Sequence, residues 1–191
     1  MTFPESLTYI SWGAFEGCSS LTSLTIPDSV TSIEGETFQG CSSLTSVTIP
    51  DSVTSIGSFA FNGCSSLTGM TIPDSVTRIG NNAFLGCSSL KSITFEGNAP
   101  SSLGADVFKY LPIGATITVP VGATGFGETF GGLPVIIEGE LEINTFSKSA
   151  SPFSLNFESK SGSTYIIEAS HDLKKWGGVG VVQGAGSSVE F

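Results

Sequence analysis

The chain has 191 residues, only 13% of them charged, with 24 glycines and 14 phenylalanines. That is the composition of a packed, turn-rich protein and not of a disordered one. Its net charge of −10 repels nucleic-acid phosphates and anionic lipid. No apolar run approaches the roughly 20 residues that span a bilayer. Nucleic-acid binding and membrane insertion are therefore not expected. The charge is uneven: residues 1–97 hold eight acids and two bases, 98–140 four acids and one base, and 141–191 five acids and four bases.

The N-terminus, MTFPESLTYI, has neither the basic start nor the apolar core of a secretory signal. It already belongs to a repeat, because Phe3-Pro4-Glu5-Ser6 through Ile10 aligns with Ile26-Pro27-Asp28-Ser29 through Ile33. Cys18, Cys41, Cys64 and Cys87 follow at a constant spacing of 23 residues, each inside the text CSSLTSVTIPDSVTSI…F.GC. Self-similarity at such a period marks a solenoid, whose coils bury their apolar faces by stacking on one another. The polar cap that usually opens such an array is not legible, so the chain reads as a piece of a longer protein. Its open first coil would then offer an edge for self-association.

Within one coil, Leu44, Val47 and Ile49 have the spacing of a short strand with those side chains inward. Pro50 ends the ladder because it has no N–H to donate. Asp51-Ser52 supplies turn chemistry. Val53 and Ile56 form a second inward segment, Gly57 permits a corner, and Phe59-Ala60-Phe61 is predicted to form one helical turn leading to Gly63-Cys64. Stacking would turn Phe15, Phe38, Phe61 and Phe84 into a ladder.

These motifs, over residues 1–97, are similar to the BspA-type leucine-rich repeats, also called the Treponema pallidum leucine-rich repeat family. The resemblance implies a right-handed solenoid with a parallel sheet along one face, on bacterial proteins that are secreted or on the cell surface. It also implies adhesion to host or matrix proteins, and it brings no catalytic residues.

From Ile93 the pattern drifts. Phe95 takes the isoleucine slot, Phe108 is placed to extend the Phe ladder, and Ile117, Val119 and Pro120 imitate a last strand and its stop. Residues 98–140 are read as C-terminal capping coils. Beyond Glu140 the period is lost. FSLNFES, STYIIEASHDLKKW and GGVGVVQGAGSSVEF read as short alternating strands joined by Gly/Ser turns. Residues 141–191 thus make a small all-β module similar to the fibronectin type III-like modules of secreted bacterial proteins, and about 50 residues is little for an independent core. The glycine run is read as a hairpin. The fold class is a mainly β repeat solenoid followed by this module.

Little here carries chemistry. The four cysteines form a line, whereas zinc needs ligands converging on a point, and coils 4.7–4.9 Å apart hold Cβ atoms farther apart than a relaxed disulfide prefers. All four are expected to be buried free thiols. Glu5, Asp28, Asp51 and Asp74 form an acidic row that turn capping explains without calcium. His171, the only histidine, has Asp172 beside it and no nucleophile motif. No catalytic, metal or cofactor residues are assigned, and an enzyme is not expected.

What remains is surface. Trp12, Phe59 and Leu85 fall in slots that vary between coils; if those slots face outward they are exposed apolar groups that would suit an interface, and the equal alternative is that some tuck under the corner as extra core. Thr22, Thr45, Thr68 and Lys91 are placed on the sheet face. Together they are the ligand-binding candidates of a non-enzymatic, extracellular or cell-surface recognition module for a protein or glycan partner. Two other readings stand beside it. The near identity of the coils suits a structural spacer, and the outward rows Thr25, Thr48, Thr71, Thr94 and Ser23, Ser46, Gly69, Ser92 suit an ice-binding surface.

Overall fold

The computed structural model describes residues 3–138 in full and, beyond them, the backbone of residues 143–147, 154–158, 164–169, 177–183 and 188–190. The chain divides into two compact units, Met1–Ile137 and Glu138–Phe191.

The first unit is a solenoid with two parallel stacks of short strands. One stack holds β1 (Ser23–Thr25), β3 (Ser46–Thr48), β5 (Gly69–Ile72), β7 (Ser92–Phe95) and β9 (Thr116–Pro120). The other holds β2 (Ser32–Ile33), β4 (Ser55–Ile56), β6 (Arg78–Ile79) and β8 (Ser102–Leu103). Register follows the repeat: Leu24 faces Val47, Met70 faces Ile93, and Ile72 faces Phe95. Phe95 therefore stands in the isoleucine slot, as expected. The second stack forms one continuous sheet, β2-β4-β6-β8. The first divides: β1 pairs with β3, while β5 opens a separate sheet.

Between the stacks runs the core. Val30, Val53 and Val76 form one buried ladder and Ile33, Ile56 and Ile79 another. Phe15, Phe38, Phe61, Phe84 and Phe108 stack ring on ring, with centroids 5.2–5.8 Å apart and planes within 17° of parallel. Each fully buried side chain of this size contributes about 1.5–3 kcal/mol.

The corner carrying each phenylalanine is not the predicted helical turn. Residues 13, 36, 59, 82 and 106 have φ between 55° and 61°, and residues 17, 40, 63, 86 and 110 between 60° and 71°. Two left-handed residues per corner cannot propagate a right-handed helix. Instead alternate amides close tight turns, as Glu16 N–H to Gly13 O (3.0 Å) and Cys18 N–H to Phe15 O (3.1 Å). The amides in between reach the next coil: Gly13, Phe15 and Gly17 donate to the carbonyls of Gly35, Thr37 and Gln39.

The C-terminal part of this unit lies over the last coil. A hairpin of β10 (Thr129–Phe130) and β11 (Leu133–Glu138) pairs through β11 with β9. Phe126 and Phe130 meet Phe95 edge-on at 5.3 and 5.7 Å. The hairpin turn rests on the Phe ladder so closely that a Cβ on Gly131 would stand 2.6 Å from Phe108 Cδ2.

In the second unit β12 (Ile143–Ser147), β13 (Ser154–Glu158) and β16 (Ser188–Glu190) pair antiparallel in the order β12-β13-β16. β14 (Thr164–Ala169) pairs antiparallel with β15 (Gly177–Gln183). The first part of the glycine run, residues 177–183, is the strand β15. His171 and Asp172 lie outside the described residues.

Candidate recognition surface

Thr22, Thr45, Thr68 and Lys91 are all exposed, but they stand one residue before β1, β3, β5 and β7 and not on the strands. Their backbones tie coil to coil: Thr45 N–H donates to Thr22 O (2.8 Å) and Lys91 N–H to Thr68 O (3.1 Å). The Thr45 hydroxyl also donates to the Thr22 carbonyl, at 3.0 Å, so part of that row's hydrogen-bonding capacity is used inside the protein. The strands themselves present the two predicted hydroxyl columns, Ser23 beside Ser46 and Thr25 beside Thr48, then Gly69 beside Ser92 and Thr71 beside Thr94. Both columns cross the division between β3 and β5.

At the corners, Trp12 is 60% exposed. One edge of its ring lies on the next coil, where a Cβ on Gly35 would be 3.0 Å from Cη2 and Cζ3. Its Nε1 donates to Glu36 Oε2 at 3.0 Å, so the indole is held in place. Phe59 and Leu85, for which exposure and burial under the corner were both open, are half-buried. They have a coil on either side at β-strand spacing, which screens their flanks.

Phe59 has a second property that sequence reading missed. It sits at φ 59°, in the slot that Gly13, Glu36, Asn82 and Asp106 fill in the other coils. A non-glycine residue there carries a backbone penalty of about 1–2 kcal/mol, least for Asn and Asp. Tyr110 repeats the anomaly. It is 72% exposed and has φ 60° in the slot of Gly17, Gly40, Gly63 and Gly86. The signal was present but displaced: Ser102 pairs with Arg78 24 residues back instead of 23, and with that one-residue insertion Tyr110 aligns with Gly86. Lys109 lies beside it, 3.1 Å from Asp106 Oδ2 and 5.4 Å from the Tyr110 ring centre. The hydrogen bond to Asp106 raises the Lys109 pKa.

The thiols are structural. Cys41, Cys64 and Cys87 are buried, and each S–H donates to a phenylalanine carbonyl of the preceding coil (Phe15, Phe38 and Phe61) at 3.1 Å. Burial, the largest cause, raises the Cys41 pKa to about 11 and that of Cys87 to about 12, and pushes Cys64 up as well. Cys18, expected to be buried, is exposed, because no described coil covers its side of the stack. A thiol reagent at pH 8 should therefore modify Cys18 alone in the folded protein, counted against the denatured chain; modification of two or more thiols would contradict this burial. Because the folded state raises these pKa values, the stabilisation from protonated Cys41 and Cys87 is complete below about pH 9 and is lost as pH rises towards 11–12.

Among the described residues no group of three or more His, Cys, Asp or Glu side chains could hold a metal ion, and no helix is long and apolar enough to cross a membrane. The acidic row of Glu5, Asp28, Asp51 and Asp74 is exposed, and Asp74 accepts from the Asn98 amide at 3.0 Å.

Comparison with known proteins agrees with this architecture. The model of the BspA type leucine-rich repeat region matches residues 1–130, in six copies. The chain belongs to that family. The T. pallidum leucine-rich repeat protein is similar in structure, with 28% identity and a TM-score of 0.54 over 63% of this chain and 57% of that one. Two other solved structures show weaker likeness. A leucine-rich cell surface protein of Faecalibacterium prausnitzii has 32% identity and TM-score 0.46, over 56% of this chain and 38% of that one. A leucine-rich repeat protein of Bacteroides ovatus has 24% identity and TM-score 0.39, over 71% of this chain and 59% of that one. In each case the chain spans less than two thirds of the other protein. No curated protein matches. Membership in this family of leucine-rich repeats suggests a protein-interaction or cell-surface role, and such families are typically non-enzymatic.

Proposed function

We propose that this leucine-rich repeat protein is a non-enzymatic, extracellular or cell-surface recognition module that binds a protein or glycan partner through the side of its solenoid. The observation that carries this is Phe59. Its slot needs a left-handed backbone, which glycine, asparagine and aspartate adopt most readily, yet it holds a large aromatic residue that the core does not bury. Backbone strain kept under a side chain that its neighbours cover only in part points to a role for the exposed part. Trp12, fixed by Gly35 and Glu36, supplies a second aromatic group already ordered before binding, which lowers the entropic cost of association.

The stacked β-strands hold these corners rigidly, and the exposed row of Thr22, Thr45, Thr68 and Lys91 adds polar contacts. The test is binding of the full chain to immobilised matrix proteins and a glycan array, beside a Trp12→Ala/Phe59→Ala variant. Saturable binding that falls at least about tenfold in the variant is expected, the size of effect that aromatic anchors give. If the folded protein binds nothing in either panel, the near identity of the coils favours the spacer reading instead.

A further inference from the structure

The corner column of the solenoid makes the same interface four times. Amides of residues 13, 15 and 17 donate to carbonyls of 35, 37 and 39; those of 36, 38 and 40 to 58, 60 and 62; those of 59, 61 and 63 to 81, 83 and 85; and those of 82, 84 and 86 to 105, 107 and 109, at 2.7–3.0 Å throughout. The fifth corner repeats the donors. Among the described residues, none accepts from the amides of Asp106, Phe108 or Tyr110.

The chain does not add a further rung there, because residues 129–138 turn into the β10–β11 hairpin and place Gly131 on the Phe108 ring. The hairpin covers the ring and leaves a cleft of about 380 Å³ beside it, bordered by Leu103, Asp106, Phe108, Lys109, Gly132 and Leu133. Leu103 stands at the end of the column in which Ile33, Ile56 and Ile79 accept from the amides of Gly57, Gly80 and Gly104. Its lining joins the apolar side chains of Leu103, Phe108 and Leu133 to Asp106 and Lys109, and Tyr110 follows directly in the chain.

We propose that this end of the solenoid docks a segment of another polypeptide, which adds as the next corner. The occupant follows from continuity with the interface inside the molecule. It must offer an N–H to the Leu103 carbonyl and then three alternate carbonyls to Asp106, Phe108 and Tyr110, as residues 57–62 and 80–85 do for their neighbours. The residue giving the middle carbonyl is Thr37, Ala60, Ala83 or Val107 in successive coils, each buried to 2% exposure or less. The docked segment therefore needs a small residue at its centre. The phenylalanine that follows in every coil is excluded from it, because Gly131 occupies that place. Backbone hydrogen bonds would supply affinity and the small central pocket selectivity, the logic of strand addition at an open edge. This end-on site is separate from the lateral surface described above, so either can fail without the other.

Two measurements on the full chain test it. In amide hydrogen exchange, Phe108 and Tyr110 should exchange about a hundredfold or more faster than Phe61 and Gly63, their counterparts inside the stack. Protection equal to Phe61 would mean that the donors are already satisfied, and would overturn the proposal. In an NMR titration, a capped peptide of residues 79–86 carrying Phe84→Ala should shift the amides of Asp106, Phe108 and Tyr110 saturably. The same peptide with Ala83→Trp added should not. Absence of saturable shifts at these amides, or equal binding of both peptides, would refute it.

Discussion

Replacing Phe61 with alanine is expected to destabilise the protein by about 3–5 kcal/mol, the range for removing a buried aromatic side chain. Phe61 is fully buried, and its ring stacks on Phe38 at 5.3 Å and on Phe84 at 5.2 Å. Its loss opens a cavity that neither neighbour can fill, because each is held by its own coil. In a repeat array stability is close to a sum of coil and nearest-neighbour terms, so an interior substitution weakens two interfaces at once. Phe15→Ala is the control. That ring is half-buried and meets Phe3 edge-on on its other side, and the loss should be about half as large. Urea denaturation followed by circular dichroism checks both, and equal losses would show that the ladder does not act as a stack.

The second large effect is expected at Gly80. Here the backbone φ is not the reason for glycine. A Cβ at Gly80 would stand 2.5 Å from Ser58 N and 2.8 Å from Gly57 C, and Gly57 and Gly104 meet the preceding coil in the same way. The obstacle is main chain, which cannot swing aside as a side chain can. Gly80→Ala must therefore push two coils apart, and a loss of about 3 kcal/mol, at the upper end of overpacking, is expected. Gly69→Ser is the contrast, since the nearest atom to a Cβ there is 3.7 Å away and three other coils carry serine in that slot, Ser23, Ser46 and Ser92. It should change stability by less than about 0.5 kcal/mol. The two thermal unfolding midpoints, measured side by side, decide whether close backbone approach sets the coil spacing.

Much of the architecture was legible because the repeat states each rule several times. The phenylalanines at 23-residue spacing predicted the ring stack, and Phe108 joins it. Pro120 ends β9 as the missing donor required. The errors share one cause, which is that side-chain identity says little about main-chain direction in an irregular corner. The helical turn was inferred from an apolar triplet, but paired left-handed residues such as Phe59 and Gly63 break it. Tyr110 was passed over because a one-residue insertion hid its glycine slot. Thr45 was placed on the sheet face, whereas it stands one residue before β3 and its hydroxyl bonds to Thr22 through coil stacking. Whether Phe59 and Leu85 are exposed or tucked under the corner stayed open in the sequence for the same reason, since flanking coils are invisible in a single repeat.

The most direct test of the recognition account is to measure stability and partner binding together for Phe59→Asn. Asn82 already occupies the equivalent position at φ 57°, so the substitution suits the backbone. Stability should be unchanged or raised by up to about 1 kcal/mol, with binding to whichever matrix protein or glycan the full chain captures reduced at least about tenfold. A clear loss of stability with binding intact would make Phe59 a packing residue and contradict the account.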